Sequence, residues 1–144
     1  EIMPSLVGSE MCIRDSYGCT GLTGELHLPN SLCSIGEMAF KDCSGFTGEL
    51  MIPSGVEIIA QGTFSGCYQL SGTITLSEGV KIVEQNAFYG CSQIETIDLP
   101  STIEKIESMS FSQCPSVQNI LCHGSLDTVS LRNLPYGVKI VYID

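Results

Sequence analysis

The sequence is short of positive charge. Six lysines and arginines stand against sixteen acids in 144 residues, a net charge of −10. Holding the phosphates of nucleic acid or of an anionic membrane surface takes clustered Lys and Arg, so this balance argues against both as partners. Also missing is any run of roughly 18 to 20 apolar residues, the length a helix needs to cross a bilayer, so no membrane insertion is expected of this segment. There is no Gly-rich phosphate loop, no His-Glu-x-x-His pair and no Gly-x-Ser-x-Gly elbow. The carboxylates recur at fixed intervals instead of converging as an isolated catalytic pair. No enzymatic activity and no cofactor is therefore expected. What is present, 43% hydrophobic and 15% charged residues, is the composition of a folded chain with one continuous core.

Residues 1–16 stand apart from the rest. The stretch SLVGSEMCIRDS, residues 5–16, resembles the in-frame translation of a transposon-end sequencing adapter, a scar met in metagenome assemblies. The regular pattern described next begins at Tyr17 and has no trace before it. The segment is read as extraneous and disordered and is set aside from the fold, the alternative being a genuine N-terminal cap. Without it, 13 acids face 5 bases. A secretory signal upstream of such a break would not be visible.

From Tyr17 the chain repeats. Cys19, Cys43, Cys67, Cys91 and Cys114 follow one another at a constant step, shorter by one only in the last interval, and such a fixed period marks a stacked-repeat architecture. Phe40, Phe64, Phe88 and Phe111 each precede a cysteine by three. After each cysteine comes an apolar residue (Leu22, Phe46, Leu70, Ile94, Val117), then an alternating pair: Leu26/Leu28, Leu50/Ile52, Ile74/Leu76, Ile97/Leu99, Ile120/Cys122. Alternation sends every second side chain inward, as a strand with one buried face requires. Gly24, Gly48 and Gly72 supply the extra residue of the longer units, as a turn or bulge just before the strand. Pro29, Pro53 and Pro100 end it, because proline offers no N–H to the ladder. Val56/Ile59, Val80/Val83 and Ile103/Ile106, spaced by three, suit a short extended or 3₁₀ return segment. No unit of this size buries its own apolar face, so neighbours must stack. Four full units and a leading half unit occupy residues 17–123; residues 124–144, with a strand-like alternation from Val138 to Asp144, are read as an irregular C-terminal cap.

The order Cys, Leu, Leu-x-Leu-Pro, Val, Ile, Ala-Phe, Cys, as in Leu99-Pro100-Ser101-Thr102-Ile103-Glu104-Lys105-Ile106 running on to Phe111 and Cys114, resembles the BspA-like leucine-rich repeat family over residues 17 to about 123. The resemblance implies a repeat solenoid: a right-handed coil with a parallel strand ladder, mostly strand and loop with short 3₁₀ or helical turns. It also implies a larger surface or secreted protein that adheres to proteins or cells, hence an extracellular or cell-surface location. Ser77 and His123 in place of proline and Thr63 in place of alanine depart from the pattern.

Five of the eight cysteines share one repeat position, and Cys12 falls in the excluded segment. Stacked in register, their Cβ atoms stay near the strand spacing, too far apart for a disulfide, so buried thiols that pack as small hydrophobes are expected. Cys33, off the ladder, is the one expected to be exposed and to react. Cys114, Cys122 and His123 offer the atom types of a zinc site or of a Cys-His nucleophile, but the register turns both cysteines inward and no second pair has ligand spacing, so neither is expected.

The outward side of the ladder remains, the usual concave binding surface of such coils. Its two rows are Glu25, Glu49, Thr73, Thr96, Asn119 and His27, Met51, Thr75, Asp98, Leu121. Glu25 and Glu49 are expected on adjacent rungs, solvated and screened, and Met51 and Leu121 as exposed apolar contacts. A protein or glycan on this face is the expected ligand. The alternatives are a structural spacer and an accessory segment of a larger enzyme.

Overall fold

The computed structural model describes residues 11–13 and 21–144. In chain order its strands are β1 (Met11–Ile13), β2 (Gly24–Glu25), β3 (Leu32–Ile35), β4 (Phe46–Ile52), β5 (Ile58–Ile59), β6 (Leu70–Leu76), β7 (Ile82–Val83), β8 (Gln93–Leu99), β9 (Lys105–Ile106), β10 (Asn119–Cys122) and β11 (Lys139–Tyr142), with helix α1 (Thr128–Arg132) before the last. The order of pairing is the order of the repeats. A main ladder runs β2-β4-β6-β8-β10-β11, and a return ladder runs β5-β7-β9. Every pair is parallel. The expected coil is therefore the observed one. The return segments take the extended form of the two conformations their spacing allows.

The assignment of residues 1–16 to an extraneous segment lies outside the described residues, except for Met11–Ile13, whose backbone pairs in parallel with β3.

The core is a set of columns, one residue per unit. Leu50 and Ile52, Ile74 and Leu76, Ile97 and Leu99, and Ile120 and Cys122 point inward from the main ladder and are buried. Val56/Ile59, Val80/Val83 and Ile103/Ile106 close the core from the return side. Between them the rings of Phe40, Phe64, Phe88 and Phe111 lie nearly parallel, with centroids 5.4, 5.3 and 5.2 Å apart. Burying one such side chain is worth about 2–3 kcal/mol, so this column alone is a large part of the driving force.

The departures from the repeat each keep their polar atoms paired. Thr63, buried where the pattern has alanine, donates its hydroxyl to Ala60 O at 2.8 Å, and Ser110 at the same position donates to Glu107 O at 2.6 Å. Where Ser77 and His123 replace proline, the freed amides extend the ladder by one bond, to Ile52 O and Leu99 O, both at 3.1 Å. Proline stops the ladder; serine and histidine let it run on.

The cysteines of the repeat have a partner that their spacing did not disclose. Cys67, Cys91 and Cys114 donate their thiols to the carbonyls of Phe40, Phe64 and Phe88, at 3.0, 3.2 and 3.3 Å. Each bond joins one unit to the unit before it. Burial is the first cause that pushes the Cys67 thiol up to about 12 and the Cys114 thiol to about 11, and it likewise holds the Cys91 thiol well above its ordinary value. Cys33 is exposed.

Candidate binding face

The face is built by register. Thr73, Thr96 and Asn119 are direct neighbours on successive strands, and so are Met51, Thr75, Asp98 and Leu121. Seven of the ten expected residues thus form two unbroken rows, side by side and facing away from the core. Both rows run one rung further than the sequence pattern showed, to Lys139 and Val141 of β11. The step from β10 to β11 is shorter than the repeat period, which hid these two positions from a search at that period.

The N-terminal end differs from expectation. β2 stops at Glu25, which lies opposite Thr47 and not opposite Glu49. The reason is the bulge: register shifts between Gly48 and Leu50 in β4, and again between Gly72 and Thr73 in β6. Leu26–Leu28 lie beyond the strand, with His27 outward.

Both glutamates are exposed, and each also lies against the backbone of the next rung. Glu25 lies over Gly48 and Glu49 lies over Gly72; a Cβ at Gly72 would meet Glu49 Cγ and Oε1 at 2.9 Å, and its φ of +65° is itself left-handed. Glu49 Oε1 accepts the amide of Thr73 at 3.3 Å. The carboxylate thus covers a backbone N–H at the bulge. The left-handed φ favours glycine there, and a Cβ would push the Glu49 side chain off the amide it covers.

Where the first rung leaves the ladder, a groove of about 510 Å³ opens, lined by Glu25, His27, Glu49, Met51, Thr73 and Thr75 among others. Met51 is 61% exposed in its wall. Leu121, expected as a second exposed apolar contact, is only partly exposed. Glu25 and His27 approach to 3.2 Å, both well solvated, so their pairing stabilises little.

Asp98, at the centre of the second row, has a partner that sequence reasoning did not assign: His123 Nε2 lies 2.9 Å from its Oδ1. His123 follows the last residue of β10 and turns outward, whereas Cys122 is fully buried and donates to Gly124 O at 3.4 Å. The thiol and the imidazole therefore serve different environments. Ser101, near the same end of the strands, donates its hydroxyl to Glu78 Oε2 at 2.8 Å. What the face offers is hydrogen bonding from threonine and asparagine, carboxylates at one end and centre, and one exposed thioether. Among the described residues no group of three His, Cys, Asp or Glu is placed to hold a metal, and no helix is long and apolar enough to cross a membrane.

The comparisons agree with this architecture. The BspA type leucine rich repeat region matches residues 15–136 in six copies, so the repeat runs past residue 123 into the turn that carries α1. A crystal structure of a leucine-rich repeat protein from Bacteroides ovatus ATCC 8483 is 30% identical, superposes with a TM-score of 0.66, and is matched over 78% of this chain and 31% of its own. A leucine rich cell surface protein from Faecalibacterium prausnitzii A2-165 is 29% identical at a TM-score of 0.58, over 72% of this chain and 34% of its own. This chain spans about a third of the length of either relative. No curated protein matches. With the period, the ladder and the six matched copies in place, the chain belongs to the BspA-type leucine-rich repeat family.

Proposed function

We propose that the chain is a non-catalytic binding module that docks a protein or a glycan on the outward rows of its main ladder, within a larger cell-surface or secreted protein. The observation that carries the reading is the unbroken pair of rows from Met51 to Val141, uncovered by any other described element, with a groove at one end. A flat array of hydroxyl, amide and carboxylate groups around one exposed methionine spreads affinity over several rungs, as repeat proteins do. The Faecalibacterium relative, described as a cell surface protein, supports the location.

Surface plasmon resonance against a panel of purified extracellular-matrix proteins and glycans tests the reading, with the wild-type chain beside a variant carrying Met51→Ala, Thr75→Ala and Asp98→Ala. The expected result is a ligand whose affinity falls about tenfold or more in the variant, while circular dichroism is unchanged. A ligand held equally well by both chains would place binding elsewhere and sink the proposal; so would a wild-type chain that binds nothing on the panel.

A further inference from the structure

A second groove shares no residue with the outward rows of the main ladder. It is cut into the stacked turns that carry the phenylalanines. Each turn holds two residues in the left-handed region, one two places before its phenylalanine and one two places after. The first column reads Met38, Gly62, Asn86, Met109 and the second Asp42, Gly66, Gly90, Gln113. Five of these eight keep a side chain at positive φ, so the backbone alone does not call for glycine at the other three. Gly62, Gly66 and Gly90 instead leave room, a groove of about 440 Å³. A Cβ at Gly90 would meet nothing closer than 3.9 Å. Four consecutive units build the groove, and it does not rest on an end of the coil.

Its lining is mixed. Met38 and Met109, both exposed, stand at the two ends of the first column, and Tyr89 adds an aromatic residue. The Asp42 carboxylate lies over Gly66, and Lys41 beside it also lines the groove, so the two charges offset one another. Asn86 carries the most specific sign. Among the described residues its Oδ1 is the one buried side-chain nitrogen or oxygen without a hydrogen-bond partner. A shielded acceptor without a donor is costly to the fold and calls for a reason. Here the reason lies beside it, in a groove with room for a donor that the chain itself does not supply.

We propose that this groove is a binding site for one uncharged sugar unit, separate from the ladder face and independent of what that face binds. A pyranose ring matches the lining on each count. It carries no charge, as the balance of Lys41 and Asp42 requires. Its C–H faces pack against the two thioethers, Tyr89 and the bare glycine backbone. Its hydroxyls donate as well as accept, so one gives its proton to Asn86 Oδ1 and another to the Asp42 carboxylate, an acceptor only, while the Lys41 ammonium donates back. The volume lies within the usual range for small-ligand sites.

Titration of the isotope-labelled chain with glucose, galactose, mannose and N-acetylglucosamine, followed in amide correlation spectra, tests this. At least one sugar is expected to move the signals of Gly62, Gly66, Asn86 and Gly90 saturably and to leave those of Thr73, Thr96 and Asn119 in place. Gly90→Gln fills the groove with the residue that Gln113 already carries in that column, and raises the dissociation constant about tenfold or more. Asn86→Gly removes the unpartnered oxygen and weakens the sugar likewise, yet its urea midpoint does not fall, because that oxygen bonds nothing in the free chain. Met51→Ala, on the ladder face, changes neither. Triglycine and acetate stand in for a peptide and an anion. No saturable shift with any sugar, shifts confined to the ladder rows, a response to triglycine or acetate as strong as to the sugars, or a sugar held equally well by both groove variants would overturn the proposal.

Discussion

Cys67, Cys91 and Cys114 show how a single side chain can serve two neighbours at once. Each fills a small space in the core and gives its weak S–H donor to a phenylalanine carbonyl one unit away. A leucine would fill the space and leave the carbonyl with only its backbone donor, the amide of Cys43, Cys67 or Cys91. We expect Cys91→Ala to lose both services, at a cost of about 1–3 kcal/mol for the combined loss of packing and of a partner for a buried carbonyl. Urea unfolding checks it: a midpoint equal to the wild type would mean that the thiol's bond to Phe64 contributes nothing. The same residues illustrate what spacing alone discloses. The period located the column and the distance rule argued against disulfides, but the hydrogen bond joins positions more than a full unit apart in sequence, and only the turn of the coil brings those together.

The elements that repeat were legible because each unit could be checked against its neighbours; those that occur once were not. Five cysteines and four phenylalanines at one period fixed the main ladder, its inward columns and most of the outward rows. The end pieces follow other needs. β11 closes its rung on a shorter step because α1 replaces the longer return path. Glu25 moved off its expected row because a bulge shifts register without changing the order of side chains along the strand. The closing turn also has its own chemistry: Asp127 caps α1 by accepting from Ser130 N at 2.7 Å, and the fully buried Ser130 then reaches β9. Ser130→Ala should leave the Ile106 amide without an acceptor and cost about 1–3 kcal/mol, and hydrogen exchange at Ile106 should quicken more than at Val83, one strand inward. Equal exchange at both sites in the variant would show that the hydroxyl is not the cap.

Across the whole molecule, the acidic excess has a structural use. Glu49, Glu78, Glu84 and Glu107 each accept the backbone amide of an adjoining unit: Thr73, Ser101, Gln61 and Gln85, at 2.8 to 3.3 Å. Charged acceptors make stronger bonds than neutral ones, so carboxylates tie rungs together along both sides of the coil. The Glu78 carboxyl is held below its ordinary range by the Ser101 amide first and then by its hydroxyl, Glu107 chiefly by the Lys105 ammonium, and Asp127 by its bonds to Ser130. A carboxyl more acidic in the folded chain than in the unfolded one contributes stability that is complete above the unfolded value, about 4, and is lost as pH falls through the lower folded value. Acid also relieves repulsion among the excess negative charges, but those are spread over the surface and screened, whereas the ties are in contact. The melting temperature should therefore fall below about pH 4, and fall less in a Glu78→Gln, Glu107→Gln double variant that starts lower at neutral pH. A wild-type melting temperature that holds or rises into that range would refute the assignment.

The phenylalanine column has a further geometric consequence. Its step of 5.2 to 5.4 Å from ring to ring runs alongside backbone bonds that join the same units: Phe40 N to Thr63 O, Phe64 N to Ala87 O and Phe88 N to Ser110 O, at 2.8 to 2.9 Å. Successive rungs are therefore laced together on the ring side as well as on the strand side, and each unit is held at three places around the coil. In a longer array of these repeats every added unit would lengthen the outward face by one rung, so the number of units would set how many contacts a ligand meets.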